Sequence, residues 1–108
     1  MNWKVCILNE DVNKELESLD VAFKAKFLHI TTLLERFGPS NVKEPYCKPL
    51  GKKLWEIRMK AQPGIARAIY IASKGKKIVI LHAFVKKTQK TPKQAIELAL
   101  KRLKEVEI

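Results

Sequence analysis

Residues 53–84, KLWEIRMKAQPGIARAIYIASKGKKIVILHAF, decide the fold because they contain three strand-like segments separated by two short turns. In the first segment, residues 53–60, apolar and polar side chains alternate as they do in a strand with one buried face. The turns fall at residues 62–64 and 73–76, where proline, glycine and serine interrupt the pattern. The last segment, residues 77–84, is apolar on both faces, which is typical of a strand covered on both sides. The stretch therefore predicts an antiparallel meander.

Helical patterns precede and follow this meander. Apolar residues step by three or four positions from Phe23 to Phe37, which predicts a long helix over residues 20–37. A shorter helix is predicted ahead of it, with Asp11 as its N-cap. A last helix is predicted after the meander, with Thr91 as its N-cap. The apolar residues 3–8 at the start of the chain predict one further strand.

These elements predict an α+β domain with the order β-α-α-β-β-β-α. We expect the helices to pack on one face of a mostly antiparallel four-stranded sheet. Residues 38–52 hold three of the five prolines and two of the four glycines, which predicts a loop. A chain of 108 residues has the length of one domain, so residues 1–108 are expected to form a single one.

The positive charge of the chain is concentrated in its middle. The formal net charge is +11, from 22 Lys and Arg against 11 Asp and Glu. Residues 43–93 hold 14 of the basic side chains and only two acidic ones, whereas residues 1–42 and 94–108 are nearly neutral. Concentrated positive charge favours a polyanionic partner, of which nucleic acid is the first candidate. The alternative is a solvated lysine-rich surface.

The sequence lacks the features of several classes of protein. No apolar run is long enough for a membrane span or a signal peptide, so we expect a cytoplasmic protein with no membrane partner. Cys6 and Cys47 lie far apart and share no metal-ligand spacing with the two histidines, so neither a metal nor a cofactor is expected. No glycine-rich phosphate loop or nucleophile elbow is present.

Two arginines inside otherwise apolar segments indicate a site. Arg58 and Arg67 flank the turn at residues 62–64, so a hairpin would bring them to neighbouring strands and the same face. Two guanidinium groups there would hold a phosphate. The alternative is a structural ion pair between Glu56 and one of these arginines. Other cations predicted near this surface are Lys52, Lys86, Lys87 and Lys90, with Tyr46, Glu56 and His82 as groups that could titrate or form hydrogen bonds.

Three segments of this region resemble the HigB-like branch of the RelE/ParE toxin superfamily. They are KPLGKKLWEIR at residues 48–58, RAIY at residues 67–70 and LHAFVKKTQKTP at residues 81–92. The resemblance implies a RelE-like fold for the element order β-α-α-β-β-β-α. The resemblance implies the toxin of a type II toxin–antitoxin system, which enters the ribosomal A site and cuts mRNA without a metal. In that reaction the ribose 2′-hydroxyl attacks the adjacent phosphate, leaving a 2′,3′-cyclic phosphate and a 5′-hydroxyl. The implied partners are the ribosome, mRNA and a HigA-like antitoxin with a helix-turn-helix domain.

The resemblance also implies roles for individual residues. Arg58 and Arg67 would stabilise the charge of the pentacoordinate phosphate, and Lys87 belongs to the same catalytic group. Glu56 would act as the base if it faces the arginine pair, and His82 would serve if it faces the cleft. The chain has no tyrosine after Phe84, where some relatives use one. The predicted RNA- or ribosome-binding residues are Lys48, Lys52, Lys53, Lys86, Lys90 and Tyr46, the last by stacking on a base.

Two other functions stay open at the level of the sequence. A ParE-like toxin would poison DNA gyrase and cut no RNA, and a basic RNA- or ribosome-binding protein would have no catalytic activity. The arginines predicted within strands and the KKTQKTP segment at residues 86–92 favour the RNA-cutting enzyme over both alternatives.

Overall fold

The computed structural model describes residues 2–62, 64–86 and 90–106 as a mixed five-stranded sheet with three helices. The sheet order is β1-β5-β4-β3-β2, and every neighbouring pair except β1 with β5 is antiparallel. The predicted α+β class and the mostly antiparallel sheet are therefore confirmed. The strands are β1 (Lys4–Ile7), β2 (Cys47–Gly51), β3 (Leu54–Ala61), β4 (Gly64–Ser73) and β5 (Lys77–Lys86), and the helices are α1 (Glu10–Glu17), α2 (Val21–Phe37) and α3 (Lys93–Leu103).

The meander of β3, β4 and β5 forms as predicted. Arg58 on β3 lies directly opposite Arg67 on β4, and Arg67 lies opposite Phe84 on β5. Directly opposed residues of antiparallel strands point to the same face of the sheet. The two arginines therefore share one face, which is what the alternating pattern predicts.

The sheet has five strands where four were expected, because residues 38–52 are not a structureless loop. They contain a 3-10 turn, Pro39–Asn41, and the edge strand β2, which pairs with β3. Lys52 and Lys53 connect these two strands with φ of 53° and 70°. Left-handed turn positions of this kind usually carry Asn or Gly, so two lysines gave no signal of a hairpin.

Both predicted N-caps, Asp11 and Thr91, differ from the observed ones. Asn9, not Asp11, is the N-cap of α1, and its side chain accepts a hydrogen bond of 3.1 Å from the Val12 N–H. Helix α2 begins at Val21, and Asp20, the first residue of the predicted range, is its N-cap. Helix α3 begins after Pro92, and Thr91 does not cap it because its hydroxyl donates to Glu56 on the sheet. None of the described helices is long and apolar enough to cross a membrane.

The helices cover both faces of the sheet, which corrects the expectation of helices on one face. Neighbouring residues of β4 show the division, since Tyr70 belongs to the core under α1 and α2 whereas Ile69 belongs to the core under α3. Ala95 and Ala99 are the buried contacts of α3 in that second core. The apolar character of β5 on both faces follows from this double cover.

Candidate nucleic-acid interface and catalytic site

A group of charged side chains lies on the α3 face of the sheet. Leu54 and Ile69 are core residues beneath α3 on that face, and Glu56, Arg58 and Arg67 share it because strand residues two or four positions apart point the same way. Cross-strand partners extend the group to both sides, since Lys48 lies opposite Glu56 and Lys86 lies opposite Ile65. We call Lys48, Arg58, Arg67 and Lys86 the basic cluster.

One carboxylate is buried beside the basic cluster with both of its oxygens engaged. Arg67 donates through Nη1 to Glu56 Oε2, and the Thr91 hydroxyl donates to Glu56 Oε1. The side chains of Glu56 and Arg67 are both fully buried. The structural ion pair that the sequence left open is therefore present, between Glu56 and Arg67. A carboxylate held from two sides and away from solvent is suited to position other groups rather than to take a proton from a substrate.

Arg58 and Lys48 are the more accessible members of the basic cluster. Both are half-buried, whereas Arg67 directly opposite Arg58 is sealed in the sheet. A buried charge pair can set the position of the surrounding backbone, and a half-exposed guanidinium can reach an anion from solution. The phosphate-binding role predicted for two arginines therefore suits Arg58 better than Arg67 in this arrangement.

Lys86 has an unusual environment for a lysine. Its residue is 7% exposed, and its Nζ has no hydrogen-bond partner within the described ranges. Burial, and then repulsion from Arg67, lowers the pKa of Lys86, and Lys48 and Arg58 add to the effect while Glu56 opposes it. Lys86 is thus more readily deprotonated than an ordinary lysine.

The remaining predicted RNA-binding residues lie in three places. Lys52 and Lys90 both line an open cavity of about 570 Å³ at the start of α3. Lys53 is exposed in the turn between β2 and β3. Tyr46 lies on the other side of the sheet edge, where its ring meets His29 of α2 edge-on at a centroid distance of 5.8 Å. Lys87, assigned to the catalytic group above, lies outside the described residues.

His82 is held in a separate network at the edge of the sheet. Its Nδ1 lies 2.9 Å from Glu15 Oε1, and its ring stacks on Phe84 at 4.8 Å between centroids. Glu15 reaches past the end of β1 to accept a hydrogen bond of 3.0 Å from the Ala83 N–H. Arg102 of α3 donates to both Glu15 oxygens and to the Leu81 carbonyl. The network joins α1, β5 and α3, so the imidazole is engaged in holding the layers together.

The same network shifts the titration of Glu15. Burial alone would raise the pKa of Glu15, but hydrogen bonds from Arg102, His82 and the Ala83 N–H outweigh it and lower the pKa below its ordinary value. A lowered pKa means that the folded protein favours the carboxylate. The network therefore stabilises the fold while Glu15 is ionised.

Sequence reasoning missed three residues that organise this region. Thr91 was interpreted as a helix cap because it precedes Pro92, and nothing local indicates that its hydroxyl would reach Glu56, 35 positions away. Glu15 and Arg102 are 87 positions apart, and the sequence pattern around each one predicts only an exposed residue on a helix. In the ranges 2–62, 64–86 and 90–106, no group of three or more His, Cys, Asp or Glu side chains is arranged to hold a metal ion.

Comparison with solved structures identifies the fold of this protein. The structure superposes with a TM-score of 0.67 on the free-state form of an arginine-to-alanine double mutant of the Escherichia coli toxin RelE, over 95% of this chain and 99% of that one at 13% identity. It also resembles the archaeal RelE–RelB complex from Pyrococcus horikoshii, with a TM-score of 0.57 and 30% identity over 79% of this chain and 96% of that one. The fold is thus that of RelE.

The family follows from the sequence. The model of the family described as "Phage derived protein Gp49-like" matches residues 14–104, which is most of the chain. The chain belongs to this Gp49-like family. No curated protein matches it.

Proposed function

We propose that this chain is the toxin of a type II toxin–antitoxin system and acts as a ribosome-dependent endoribonuclease that cuts mRNA in the A site without a metal. The observation that carries the proposal is the basic cluster around the buried Glu56–Arg67 pair on a RelE fold. The motifs quoted above support the narrower assignment to the HigB-like branch. Cleavage by such a site needs cations that neutralise a five-coordinate phosphate, and the basic cluster supplies them.

The half-buried Arg58 and Lys48 bind the non-bridging oxygens of the scissile phosphate. Arg67 acts on the same phosphate indirectly. Its ion pair with Glu56 holds β4 against β3, the strand that carries Arg58 and pairs with Lys48 on β2. Thr91 completes this support by tying the segment that leads into α3 to Glu56. In the proposed site, Glu56 is therefore a positioning residue and Arg58 a catalytic one.

Lys86 is the proposed proton acceptor in place of Glu56 or His82. Its neutral amine takes the proton of the 2′-hydroxyl as the 2′-oxygen attacks phosphorus and the bond from phosphorus to the 5′-oxygen breaks. The 5′-oxygen leaves with a proton returned by the lysine ammonium or by water. The products are a 2′,3′-cyclic phosphate and a 5′-hydroxyl, with no net change in protons. The place of Lys86 on the face of the basic cluster and its lowered pKa support this role.

The exposed lysines bind the RNA of the ribosome and the message. Lys52, Lys53 and Lys90 are exposed on or next to the α3 side, and each phosphate contact adds affinity that depends on salt. Binding to ribosomes requires a cytoplasmic location. The proposed partner that neutralises the toxin is a small antitoxin, for which the likeness to a RelE–RelB complex gives support and the motif resemblance suggests a HigA-like helix-turn-helix protein.

Induced expression in a bacterium tests the proposal against its alternatives. We expect growth arrest together with new mRNA fragments that begin with a 5′-hydroxyl inside codons, and Arg58→Ala should reduce their yield at least about a hundredfold. Lys26→Ala is the matched control, since it also removes one positive charge but from the exposed surface of α2. Arrest with gyrase-linked DNA breaks and intact mRNA would favour the ParE-like toxin. Ribosome binding without fragments or arrest would favour the non-catalytic protein.

A further inference from the structure

A second cavity opens at the edge of the sheet on the face opposite the basic cluster. It has a volume of about 600 Å³ and lies where the chain passes from α2 into the edge strand β2. Strand residues Cys47, Pro49 and Trp55 share the α2 face there, Pro49 lying directly opposite Trp55. The lining residues are Ser40, Lys43, Glu44, Cys47, Lys48, Pro49 and Trp55.

The walls of this cavity combine an aromatic surface with charged groups of both signs. Trp55 is half-buried, and one contact of its indole is Tyr70, stacked at a centroid distance of 6.4 Å. Cys47 contributes a buried thiol, and burial raises its pKa to about 11, so this part of the wall is uncharged at neutral pH. Lys43 and Glu44 are exposed at the cavity.

These features match the chemistry of a nucleotide. A purine or pyrimidine ring stacks on an indole, and stacking of this kind is the usual way in which proteins hold an unpaired base. Lysine ammonium groups bind the phosphate that accompanies the base. A carboxylate accepts hydrogen bonds from an exocyclic amino group, which guanine, adenine and cytosine possess and uracil lacks.

Lys48 connects the cavity with the basic cluster. It lines the cavity from the edge strand, and on the α3 face it lies opposite Glu56 and contributes to the lowered pKa of Lys86. A single RNA strand that crosses the β2 edge would therefore meet the basic cluster with one phosphate and the cavity with a neighbouring base.

We propose that this cavity binds one base of single-stranded RNA next to the cleaved bond, with the base on Trp55, its phosphate at Lys43, and its amino group at Glu44. The proposal rests on the proposed ribonuclease function for its biological meaning, and it assigns the cavity a role in choosing the site of cleavage. Trp55 belongs to the LWEIR motif, and no catalytic step above makes use of it.

Nuclear magnetic resonance of the free protein tests this site without ribosomes or cleavage. The chain has two tryptophans, so its spectrum contains two indole N–H signals, which a Trp3→Phe variant assigns. We expect 5′-GMP, 5′-AMP and 5′-CMP to shift the Trp55 signal in a saturable way and to leave the Trp3 signal in place. Ribose 5-phosphate, which has the phosphate but no base, should leave both signals unmoved at the same concentrations.

Variants divide the contributions of the lining residues. Lys43→Ala should weaken 5′-GMP binding roughly tenfold, whereas Lys26→Ala, the same loss of charge on α2, should leave it unchanged. Glu44→Gln should reduce the preference for GMP over UMP. If ribose 5-phosphate moves the Trp55 signal as GMP does, or if no nucleotide moves it, the cavity is not a base-binding site.

The outcome is independent of the proposed function. Nucleotide binding in a protein that cuts no mRNA would leave the cavity assignment standing and overturn the ribonuclease. If the protein cleaves mRNA but none of the four nucleotides shifts its Trp55 signal, the ribonuclease function stands and the cavity assignment is wrong.

Discussion

At the scale of single residues, burial separates two arginines that the sequence treats alike. Arg58 and Arg67 have similar strand neighbours and lie opposite each other, yet Arg67 is sealed in an ion pair with Glu56 while Arg58 is half-exposed. Alternation could predict their common face but not their different depth, because depth depends on contacts from distant parts of the chain, such as that of Thr91 with Glu56. From the resemblance alone, a loss of activity in Arg67→Ala would indicate a catalytic role for Arg67. Because the pair is buried, the same loss of activity can come from a destabilised fold.

Arg67→Ala should destabilise the fold strongly. The substitution leaves Glu56 charged and buried without its partner, which typically costs about 3–5 kcal/mol of the free energy of unfolding. Urea denaturation measures this loss. A double variant, Glu56→Met with Arg67→Met, should regain most of the stability because neither charge of the pair is left without its partner, and it should be inactive in mRNA cleavage. An Arg67→Ala protein as stable as the wild type would contradict the buried pair.

Lys86 should set the pH dependence of cleavage. Its pKa is lowered, so half of its amine is neutral at a lower pH than in an ordinary lysine, whose pKa is 10.5. The single-turnover cleavage rate should therefore rise with pH toward a plateau and reach half of that plateau below pH 10.5. Lys86→Arg, which keeps the charge but cannot lose its proton in this range, should be slower and show no levelling. A plateau unchanged in Lys86→Arg would assign the proton transfer to another group.

At the scale of elements, the sequence pattern predicted the helices and strands whose formation depends on neighbouring residues. The meander and α2 follow from alternation, turns and the helical period, and they formed where predicted. Strand β2 was missed because its hairpin turn carries Lys52 and Lys53 in left-handed conformations. The face covered by α3 could not be predicted either, since it is chosen by long-range contacts such as those of Arg102 with Glu15.

The contact between α1, β5 and α3 through Glu15 should be sensitive to acid. The pKa of Glu15 is lowered in the fold, so its contribution to stability is present above the ordinary carboxyl pKa of 4.5 and is lost as the pH falls through the folded value. Glu15→Gln should therefore be less stable than the wild type at pH 7, and the difference should shrink at acid pH. Urea denaturation at pH 7 and pH 3.5 measures both.

Glu17→Gln is the control for that experiment. Glu17 is an exposed carboxylate on the same helix, so its substitution should change the free energy of unfolding little at either pH. Equal effects of Glu15→Gln at pH 7 and pH 3.5 would show that the charge of Glu15 does not hold the three elements together.

At the scale of the whole molecule, one region carries nearly all of the net positive charge. The excess of basic residues lies between residues 43 and 93, in β2, the meander and the connection to α3, while the net charges of α1 and α2 nearly cancel each other. Phosphate contacts of exposed lysines lose affinity steeply as salt increases. Naked RNA offers fewer such contacts than a ribosome with its message, so we expect free RNA to be cut poorly at physiological salt.

Cleavage of a defined message on purified ribosomes tests the central claim most directly. The mRNA is placed with one codon in an empty A site, and a second message differs only in a 2′-deoxy sugar at the nucleotide before the cut. We predict cleavage of the first message within that codon, with a 2′,3′-cyclic phosphate and a 5′-hydroxyl, and no cleavage of the second. A cut in the deoxy message, or equal cutting of naked RNA, would contradict the proposed mechanism.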